Sequence, residues 1–583
     1  MQLRHLLLAF FVSQQTYAWY YGRPDPGLMT NGGVWPLPWT INYGSNNLTI
    51  SPLTFTFTSK VGTCEVIDKA MARYQKIAFA GFDPNTYKDS GSPQITSLVI
   101  SVDGGCDNGY PQLEMDETYS ITVSSSSQQT TLQANQVWGA LRGLETFSQL
   151  VFQPTFNKFV IREASVSDRP RFPHRGVMID SSRHFLPVGV LLENLDLMAH
   201  NKMNVFHWHL TDSESFPYTS AKYPNMSLLG AYTPAHTYSI DDMKKVIDYA
   251  RLRGIRTVPE FDTPGHTGAW SHAFPTLLSL CYDTNGKINQ LPNIIDASLE
   301  ANYDILNNFF TEALALFKDN YMHFGGDEVL DDMKNCWYNN PQVRQRMTGL
   351  GLGNDTAKLL NYYWQKMFQM IDKARPNTKK IVWQEVLDQN VPVAGTIAHV
   401  WKGGAVDEVM KEMTSVIKAG HNAILSSCWY LNYITYGADW KEAARNDSVG
   451  YYQCDPQNFT GTQEEKDRVL GGEAAIWGEF VDGTNLIPRL WPRASAVAER
   501  LWSDPKQTTS PDMAWPRLHE FRCRLLVRGH PAEPPNGPDY CPFEWNPLPP
   551  TGADNFVNDS RFILLLLLVS LSLALIEPHA FIP

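Results

Sequence analysis

The stretch RGVMIDSSRHFLPVGVLLENLDLMAHNKMNVFHWHLTD, residues 175–212, contains two apolar strand candidates on either side of an amphipathic helix candidate. Within the helix candidate, Leu191, Leu195 and Met198 recur at the spacing that places side chains on one helix face. The next helix candidate repeats this spacing from Met243 to Ala250, and a glycine four residues later predicts its end. A regular alternation of short strands and amphipathic helices therefore begins at residue 175.

The alternation continues through eight strand candidates. They read RGVMIDSS, VFHWHLTD, IRTVPEFD, YMHFGGDEV, KIVWQEV, TIAHVWK, NAILSSCWY and GEAAIWGE. Eight strands separated by helices predict an α/β fold with a (β/α)8 TIM barrel. An open doubly wound sheet is the alternative, but it would normally carry a Gly-rich phosphate turn after its first strand, and this sequence has none there.

The chain before the barrel has a different pattern. Residues 19–168 combine strand-like LTFTFTS and ITSLVISVDG with helical NQVWGALRGLETFSQLV, which predicts a small N-terminal α+β domain. The proline- and arginine-rich segment SDRPRFPHRG joins it to the barrel. We assign residues 169–545 to the barrel with a C-terminal extension, and residues 546–583 to a linker and hydrophobic tail.

Composition narrows the class of partner. The 583 residues carry a formal net charge of −12 without any basic block, which argues against nucleic acid. The chain is also rich in tryptophan, with 17 residues. Indole faces stack on sugar rings, although tryptophan more often packs in the core.

Both ends of the chain are apolar. Residues 1–18 combine Arg4, a short apolar run and a cleavage site at Thr16-Tyr17-Ala18, which predicts a secretory signal peptide. Residues 562–576 are uncharged but shorter than the roughly 20 residues of a membrane-spanning helix. They resemble a GPI-anchor signal, with a short tail helix as the alternative. We expect the secretory pathway, with a GPI-anchored cell surface or secretion among the possible destinations.

The sequons and the cysteines also indicate passage through the secretory pathway. Six N-x-[ST] triplets predict glycosylation at Asn47, Asn225, Asn354, Asn446, Asn458 and Asn558. The eight cysteines include no C-x-x-C pair, and in an oxidising compartment they indicate disulfide bonds rather than zinc ligands.

Polar and aromatic residues collect at the predicted C-terminal ends of the barrel strands, where barrel enzymes place their catalytic groups. They are Asp180, Arg183, His209, Asp212, Asp262, His266, Asp327, Glu328, Trp383, Glu385, Trp401, Tyr430, Trp477 and Glu479. Acids transfer protons, arginine and acids bind hydroxyls, and indoles stack on sugar rings, so the set indicates a carbohydrate hydrolase.

Asp327 and Glu328 are adjacent in the sequence. Most retaining glycosidases place two carboxylates about 5 Å apart on either side of the bond, usually from different strands. Neighbours at one strand end can hardly face each other across a sugar. One of them can still be the acid, and the nucleophile then comes from elsewhere, including the substrate itself.

A metal site is the competing interpretation of His207 and His209, which share one face of the second strand candidate. Metal-dependent barrel hydrolases usually place such a pair on the first strand and add ligands from other strands. Here the following strand offers only His266. We therefore expect core histidines, one of them supporting the site, and no metal or other cofactor.

Long motifs in chain order resemble the animal lysosomal β-N-acetylhexosaminidases of glycoside hydrolase family 20. They are RGVMIDSSRHFLP, HWHLTDSESFPY, EFDTPGHT, HFGGDEV, VWQEV and WGEFVDGTNLIPRLWPRASAVAERLW. The resemblance implies exo-acting, retaining removal of terminal non-reducing β-linked GlcNAc and GalNAc, in which the substrate's acetamido oxygen forms an oxazolinium. A catalytically inactive cell-surface sugar-binding protein is the alternative, but such a protein would not require an intact set of Asp327, Glu328 and Tyr430.

The resemblance also implies roles for single residues. Glu328 matches the general acid/base, with a pKa raised by adjacent Asp327. Asp327 matches the residue that holds the acetamide N–H, and Tyr430 the hydroxyl donor to the acetamide oxygen. Asp212 and His266 match a relay that orients Glu328. Ser213 stands where relatives often have a second Asp.

Other matched residues bind the sugar. Trp383, Trp401 and Trp477 match the walls around the acetamide, which supply proximity. Arg183 matches the ligand of the 3- and 4-hydroxyls, and Glu479 an acceptor from the 4- and 6-hydroxyls.

Two positions after Tyr430 bear on substrate charge. The α-type vertebrate subunit has Asn then Arg there and accepts a negative 6-substituent; the β-type has Asp then Leu. This chain has Asn432 and Tyr433, which predicts a preference for neutral substrates and weak activity on 6-sulfated GlcNAc.

The resemblance further implies the lysosome as the location, with the cell surface or secretion as alternatives, as well as a homodimer and the disulfides Cys64–Cys106, Cys281–Cys336 and Cys523–Cys541. It leaves Cys428 and Cys454 as either a fourth bridge beside Tyr430 or two free thiols.

Overall fold

The computed structural model describes residues 29–542, apart from 89–90, 390, 392–394, 434, 436 and 443–449. The predicted signal peptide, the tail from residue 546, and the sequons at Asn446 and Asn558 lie outside these residues. Among the helices that the structure describes, none has the length and apolar composition needed to cross a membrane.

A mixed sheet precedes the barrel. Its strands, numbered in chain order, are β1 (Thr40–Thr49), β2 (Thr56–Ser59), β3 (Ser97–Val102), β4 (Tyr119–Val123), β5 (Gln129–Ala134), β6 (Val151–Thr155) and β7 (Lys158–Asp168). They lie in the order β1-β7-β4-β5-β3-β2, with β6 paired to β7. Helices Glu65–Ile77 and Val137–Leu150 accompany the sheet. Every residue of the second helix is buried, because it contacts both the sheet and the barrel.

The barrel closes from eight parallel strands. They are β8 (His174–Asp180), β9 (Val205–Thr211), β10 (Arg256–Phe261), β13 (Tyr321–His323), β14 (Lys379–Trp383), β15 (Ile397–Val400), β16 (Asn422–Leu425) and β17 (Val469–Ile476). A two-stranded hairpin, β11 (Cys281–Tyr282) and β12 (Ile288–Gln290), lies in the loop after β10. Every residue of β8, β9 and β10 is buried, and strands covered on both faces read as apolar runs rather than as alternation. The predicted (β/α)8 barrel behind a small α+β domain is confirmed.

Helices surround the barrel and extend past its last strand. Their bounds are Val188–His200, Asn225–Gly230, Ile240–Arg251, Glu300–Leu316, Asp331–Tyr338, Pro341–Gly349, Thr356–Ala374, Glu385–Asp388, Val406–Lys418, Gln463–Asp467, Leu486–Leu490, Arg493–Trp502 and Pro511–Val527, with a 3-10 turn at Gly268–His272. The apolar residues Met243, Val246 and Ala250, which the sequence places on one helix face, are fully buried.

Four disulfides are present, and they include Cys428–Cys454. The open question about these two cysteines is thus resolved in favour of a bridge, and the other three pairs are those that the resemblance implies. Cys428–Cys454 closes the segment that carries Tyr430, so it constrains a loop at the mouth of the barrel.

The four described sequon asparagines are exposed, as glycan attachment requires. They are Asn47, Asn225, Asn354 and Asn458.

Candidate active site

A cavity of about 520 Å³ opens at the C-terminal ends of the barrel strands, which is a size that suits a small ligand. Its lining is Arg183, His266, Asp327, Glu328, Trp401, Tyr430, Asn432, Tyr433, Trp477, Glu479 and Phe480. Parallel strands bring these side chains together because all eight strands end at the same rim. Residues separated by about 300 positions in the chain thereby share one cavity.

The adjacent acids Asp327 and Glu328 differ in exposure. The Asp327 side chain is 13 % exposed, whereas the Glu328 side chain is 54 % exposed. Both belong to a loop, because β13 already ends at His323 and is followed by Gly325 and Gly326 in left-handed conformations. The turn sends one carboxylate towards the floor of the cavity and leaves the other at its rim.

The three residues predicted to form a relay, Asp212, His266 and Glu328, lie in a row. Asp212 Oδ1 lies 3.2 Å from His266 Nδ1, and His266 Nε2 lies 3.4 Å from Glu328 Oε2. Asp212 is held from behind by His209 Nε2 at 2.9 Å and by Arg183 Nη2 at 2.8 Å. The geometry therefore fixes the orientation of the imidazole that faces Glu328.

The pKa of Glu328 is lowered, in contrast to the expectation that Asp327 raises it. The hydrogen bond and charge of His266 favour the ionised carboxylate of Glu328, and at this half-exposed rim they outweigh the opposing effect of burial. Burial lowers the pKa of His266, but Asp212 and Asp327 outweigh it and raise that pKa well above its usual value. Repulsion between the two neighbouring acids is therefore not the dominant influence on Glu328.

Asp327 has the opposite shift. Burial raises the pKa of Asp327, although the charge of His266 opposes the rise. Asp262, at the end of β10, lies beside it, and burial together with the charge of Asp327 raises the pKa of Asp262 well above its usual value. The sequence places Asp262 four residues before His266 at a strand end, and that position is the signal that marks it as part of the site.

Arg183 is fixed by a ring of carboxylates. Besides Asp212, it contacts Asp180 through Nη1 at 3.1 Å and Glu214 through Nε at 3.1 Å. Glu214 has no place in the sequence-based set. Its position two residues after Asp212, on the same strand-end loop, is the signal that could have identified it.

Aromatic rings form the apolar part of the cavity. The rings of Trp401 and Tyr430 are nearly parallel at 6.5 Å, and Tyr430 lies 6.3 Å from Trp477. Phe480, also absent from the predicted set, is 76 % exposed at the mouth and follows Glu479 directly. Trp383 differs from its predicted place as a wall: it is 1 % exposed and is not among the lining side chains. Its indole N–H donates to Glu260 at 2.8 Å, which holds it one layer below the cavity.

Four buried polar atoms of the lining make no well-formed hydrogen bond within the described part of the chain. They are Asp327 Oδ1, Trp401 Nε1, Asn432 Oδ1 and His266 Nε2, the last of which lies 3.4 Å from Glu328 Oε2. Buried polar groups are nearly always paired in folded proteins, so unpaired ones concentrated in a cavity indicate a ligand that is itself polar. An acceptor and a donor beside aromatic faces fit a sugar with polar substituents.

The histidines of the barrel interior pair with carboxylates. His207 contacts Glu473 at 2.8 Å and Glu260 at 3.0 Å, and His209 contacts Glu260 at 2.7 Å. Several of these groups are close enough to share an ion, but their hydrogen bonds to one another already account for their positions. Burial opposes protonation of His207, yet Glu473 and Glu260 raise its pKa to about 9. His209 links this layer to Asp212.

Comparison with known proteins gives two family matches. Residues 172–505 match glycosyl hydrolase family 20, catalytic domain, and residues 34–150 match a family described as beta-acetyl hexosaminidase like. Beta-hexosaminidase A of Caenorhabditis briggsae is 44% identical over 560 residues, covering 94% of this chain and 100% of the relative. Beta-hexosaminidase subunit beta of Homo sapiens is 43% identical over 522 residues, covering 88% and 89%.

Solved structures agree with the sequence matches. A chitobiase from Flavobacterium johnsoniae superposes with a TM-score of 0.71 at 30% identity, covering 85% of this chain and 72% of that one. An exo beta-N-acetylglucosaminidase from Vibrio harveyi, at 22% identity and a TM-score of 0.72, has the same fold over 88% of this chain and 80% of its own. The chain therefore belongs to glycoside hydrolase family 20 and is an animal-type β-N-acetylhexosaminidase.

Proposed function

We propose that this hydrolase removes terminal non-reducing β-linked GlcNAc and GalNAc from glycans or glycoconjugates, with retention of configuration, through an oxazolinium intermediate. The observation that supports this best is that the two adjacent acids, Asp327 and Glu328, lie in different environments. Asp327 Oδ1 is buried at the floor with no hydrogen-bond partner among the residues that the structure describes, and Glu328 is half exposed at the rim beside His266. This arrangement supplies one proton donor and one amide acceptor on the same side of the sugar.

The reaction then proceeds in two steps. The acetamido carbonyl oxygen attacks the anomeric carbon, the bond to the leaving oxygen breaks, and Glu328 gives that oxygen a proton. Asp327 accepts the acetamide N–H and stabilises the positive charge of the oxazolinium. Water next attacks the anomeric carbon from the leaving-group side and gives its proton to Glu328, which restores the acid and the original configuration.

The lowered pKa of Glu328 is compatible with this role because His266 and Glu328 hold a proton together. With the proton on His266, Glu328 is a carboxylate; with the proton on Glu328, it is an acid ready to donate. A leaving sugar that covers the exposed face of Glu328 removes water from it, and desolvation favours the neutral carboxylic acid. The pair therefore delivers its proton when the rim is covered.

The aromatic and polar lining suits the sugar. Trp401 and Trp477 offer faces for the pyranose and the acetamide methyl, and the Tyr430 hydroxyl lies among them as a donor to the acetamide oxygen. Arg183 and Glu479 provide the charged groups for ring hydroxyls. In this proposal Trp383 acts from below, by fixing the plane of its neighbour Trp477 at 5.9 Å.

The participation of the substrate's acetamide is directly testable. Aryl β-glycosides with acetamido, fluoroacetamido and trifluoroacetamido groups should react progressively more slowly, because fluorine makes the carbonyl oxygen a weaker nucleophile. The first product seen by proton NMR should be the β-anomer. Equal rates across the series would point to an enzymic nucleophile, and an α-anomer as the first product would exclude retention.

We further propose the secretory pathway, and the lysosome in particular, as the location. The four disulfides among the described residues require an oxidising compartment, and the four exposed sequons suit the same route. A homodimer, membrane attachment through the tail, and secretion are retained as proposals. Endoglycosidase treatment and fractionation of expressing cells, with equilibrium sedimentation of the purified enzyme, test these three points together.

A further inference from the structure

We propose that Glu385 is a positioning residue for the general acid, holding the backbone of Glu328 in the conformation that aims its carboxylate at His266. The proposal rests on the role of Glu328 given above. Its basis is one hydrogen bond: the backbone N–H of Glu328 donates to Glu385 Oε2 at 2.8 Å.

Residues 325–328, the acid loop, carry Glu328, and their backbone conformation needs a hydrogen bond that holds it. Gly325, Gly326 and Glu328 have φ values of 69°, 100° and 54°, all in the left-handed region. Glycine adopts this region freely, but a glutamate is found there only when surrounding contacts impose it. Glu328 therefore owes its backbone conformation to its neighbours rather than to its own preference.

Two carboxylates from neighbouring strand ends supply those contacts. Asp262 Oδ1 accepts the N–H of Gly326 at 2.7 Å, from the end of β10, and Glu385 accepts the N–H of Glu328, from the end of β14. β10 and β14 are the two strands that pair with β13 in the barrel. The acid loop is thus held on both sides by the strands adjacent to its own.

Glu385 is itself fixed in place. It is 3 % exposed at the start of helix Glu385–Asp388, and Lys402 Nζ lies 3.7 Å from its Oε1. One oxygen therefore faces the acid loop and the other faces a cation. Lys402 also contacts Asp388 Oδ2 at 3.0 Å. Asp388 therefore has the same cationic neighbour as Glu385, but it is Glu385 that accepts the N–H of Glu328.

The hydrogen bond from Glu328 to Glu385 sets the direction in which the Glu328 carboxylate points. His266 Nε2 lies 3.4 Å from Glu328 Oε2, and a rotation of the peptide before Glu328 would swing the half-exposed carboxylate away from it. Small displacements of reacting groups lower rates strongly, by on the order of 10²-fold for about 1 Å. Loss of the anchor should therefore weaken proton donation more than it weakens sugar binding.

The experiment compares two leaving groups. Chitobiose needs a proton on its departing oxygen, and an activated dinitrophenyl β-GlcNAc needs far less help. Glu385→Ala should lower kcat on chitobiose by on the order of 10² and on the aryl glycoside by less than about 3-fold, with KM little changed. Asp388→Asn, which leaves the N–H contact intact, is the matched control and should behave as the parent.

Two conservative variants separate the hydrogen bond from the charge. Glu385→Gln keeps an oxygen acceptor on a side chain of the same length, so its kcat on chitobiose should fall by less than about 10-fold. Glu385→Asp keeps the charge, but its shorter side chain does not reach the N–H of Glu328. Its kcat on chitobiose should therefore fall as far as that of the alanine variant. These two also serve if the alanine variant fails to fold. The opposite order, or equal losses on both substrates for all variants, would overturn the proposal.

Glu328→Gln measured alongside distinguishes the two levels of inference. If Glu328→Gln discriminates between the leaving groups and the Glu385 variants do not, the positioning role is wrong and the acid assignment stands. If Glu328→Gln itself shows no leaving-group dependence, the proposed function is wrong.

Discussion

The charged groups at the base of the barrel and the acid Asp327 at its rim differ in how completely they are paired. At the N-terminal ends of the strands, facing the α+β domain, Glu117 lies 2.7 Å from Arg142 and 2.6 Å from Arg175, and Asp168 lies 3.0 Å from Lys202. All these side chains are almost completely buried and each has an oppositely charged partner within the protein. At the C-terminal ends, Arg183 and Asp212 are also paired, but Asp327 Oδ1 has no hydrogen-bond partner among the described residues.

The difference separates structural from chemical use of charge. A buried ion pair that is complete within the fold stabilises one arrangement of two domains, and removal of one member leaves an uncompensated charge. A buried polar group that is incomplete within the fold is available to a substrate. Mutations at the rim should therefore change rates, and mutations at the base should change stability.

The largest effect is expected for Glu328→Gln, which removes the proposed proton donor from the rim. The rate on chitobiose should fall by on the order of 10² to 10⁴, with a smaller fall on activated aryl glycosides, and Tm should stay near that of the parent. Asp331→Asn, an exposed acid on the following helix, is the control. A variant that hydrolyses chitobiose at nearly the parental rate would rule out the acid assignment.

The counterpart at the base is Lys202→Met. It leaves Asp168 buried without its cation, and destabilisation of about 3–5 kcal/mol is expected, with little change in kcat/KM of the enzyme that remains folded. Calorimetry and initial rates measure the two quantities. Lys244→Met removes an exposed lysine, 63 % accessible and 3.6 Å from Asp241, and should change stability by less than about 1 kcal/mol. Equal shifts for the two variants would contradict the comparison.

The Cys428–Cys454 bridge tests whether a rim loop depends on covalent support. Replacement of both cysteines by serine should lower stability by about 3 kcal/mol, because the open chain gains conformational freedom. A modest fall in kcat should accompany it, since Tyr430 lies two residues from the bridge. Thermal unfolding and kinetics of the double variant measure both, and an unchanged Tm would argue against a stabilising role.

The pH dependence of kcat/KM tests whether His266 and Glu328 hold a proton together. In the parent, His266 has a raised pKa, so the His266–Glu328 pair keeps its proton as pH rises until that pKa is passed, and activity is lost above it. In His266→Asn only the Glu328 carboxyl holds the proton, and the alkaline limb of kcat/KM should move down by at least about two pH units. His236→Asn, at an exposed histidine, should leave the limb in place. An unmoved limb in His266→Asn would mean that another group holds the proton.

The smallest effect concerns the edge of the cavity. Tyr433→Arg should raise kcat/KM on 6-sulfated aryl GlcNAc by on the order of 10-fold, because a guanidinium pairs with sulfate where a phenol offers one hydroxyl. Tyr433 is 43 % exposed, so solvent screening limits the gain. Tyr433→Phe should bring no gain. A parent that already prefers the sulfated substrate would invalidate this interpretation of the pocket.

Much of the fold was readable because the barrel is built from local repeats. Helical spacing such as that of Met243, Val246 and Ala250 reports one buried face without knowledge of what covers it. The polar residues at successive strand ends were predictable site members for the same reason, since parallel strands direct their C-terminal ends to one rim. Cys428–Cys454 was open in the sequence, because pairing depends on distance in space.

The position of Trp383 and the pKa shift of Glu328 differ from the expectations from sequence, because both depend on contacts with residues that are distant in the chain. Trp383 follows the strand-end rule, yet a hydrogen bond to Glu260 from β10 holds it beneath the cavity. The direction of the Glu328 pKa shift depends on His266, 62 positions away in the chain, and the adjacent acid that the sequence displays is not among the main influences on it.

The sequence by itself determined the order of strands and helices, most of the residues that reach the C-terminal rim of the barrel, and the family to which the chain belongs, because these follow from local periodicity and contiguous motifs. Only the tertiary structure decided which rim groups are satisfied, which are left for a substrate, and how Glu328 is charged and held. The physical reason is that hydrogen bonding and electrostatic shifts depend on distances of a few ångströms, and those distances join Asp212, His266, Glu328 and Glu385 only after the barrel has closed.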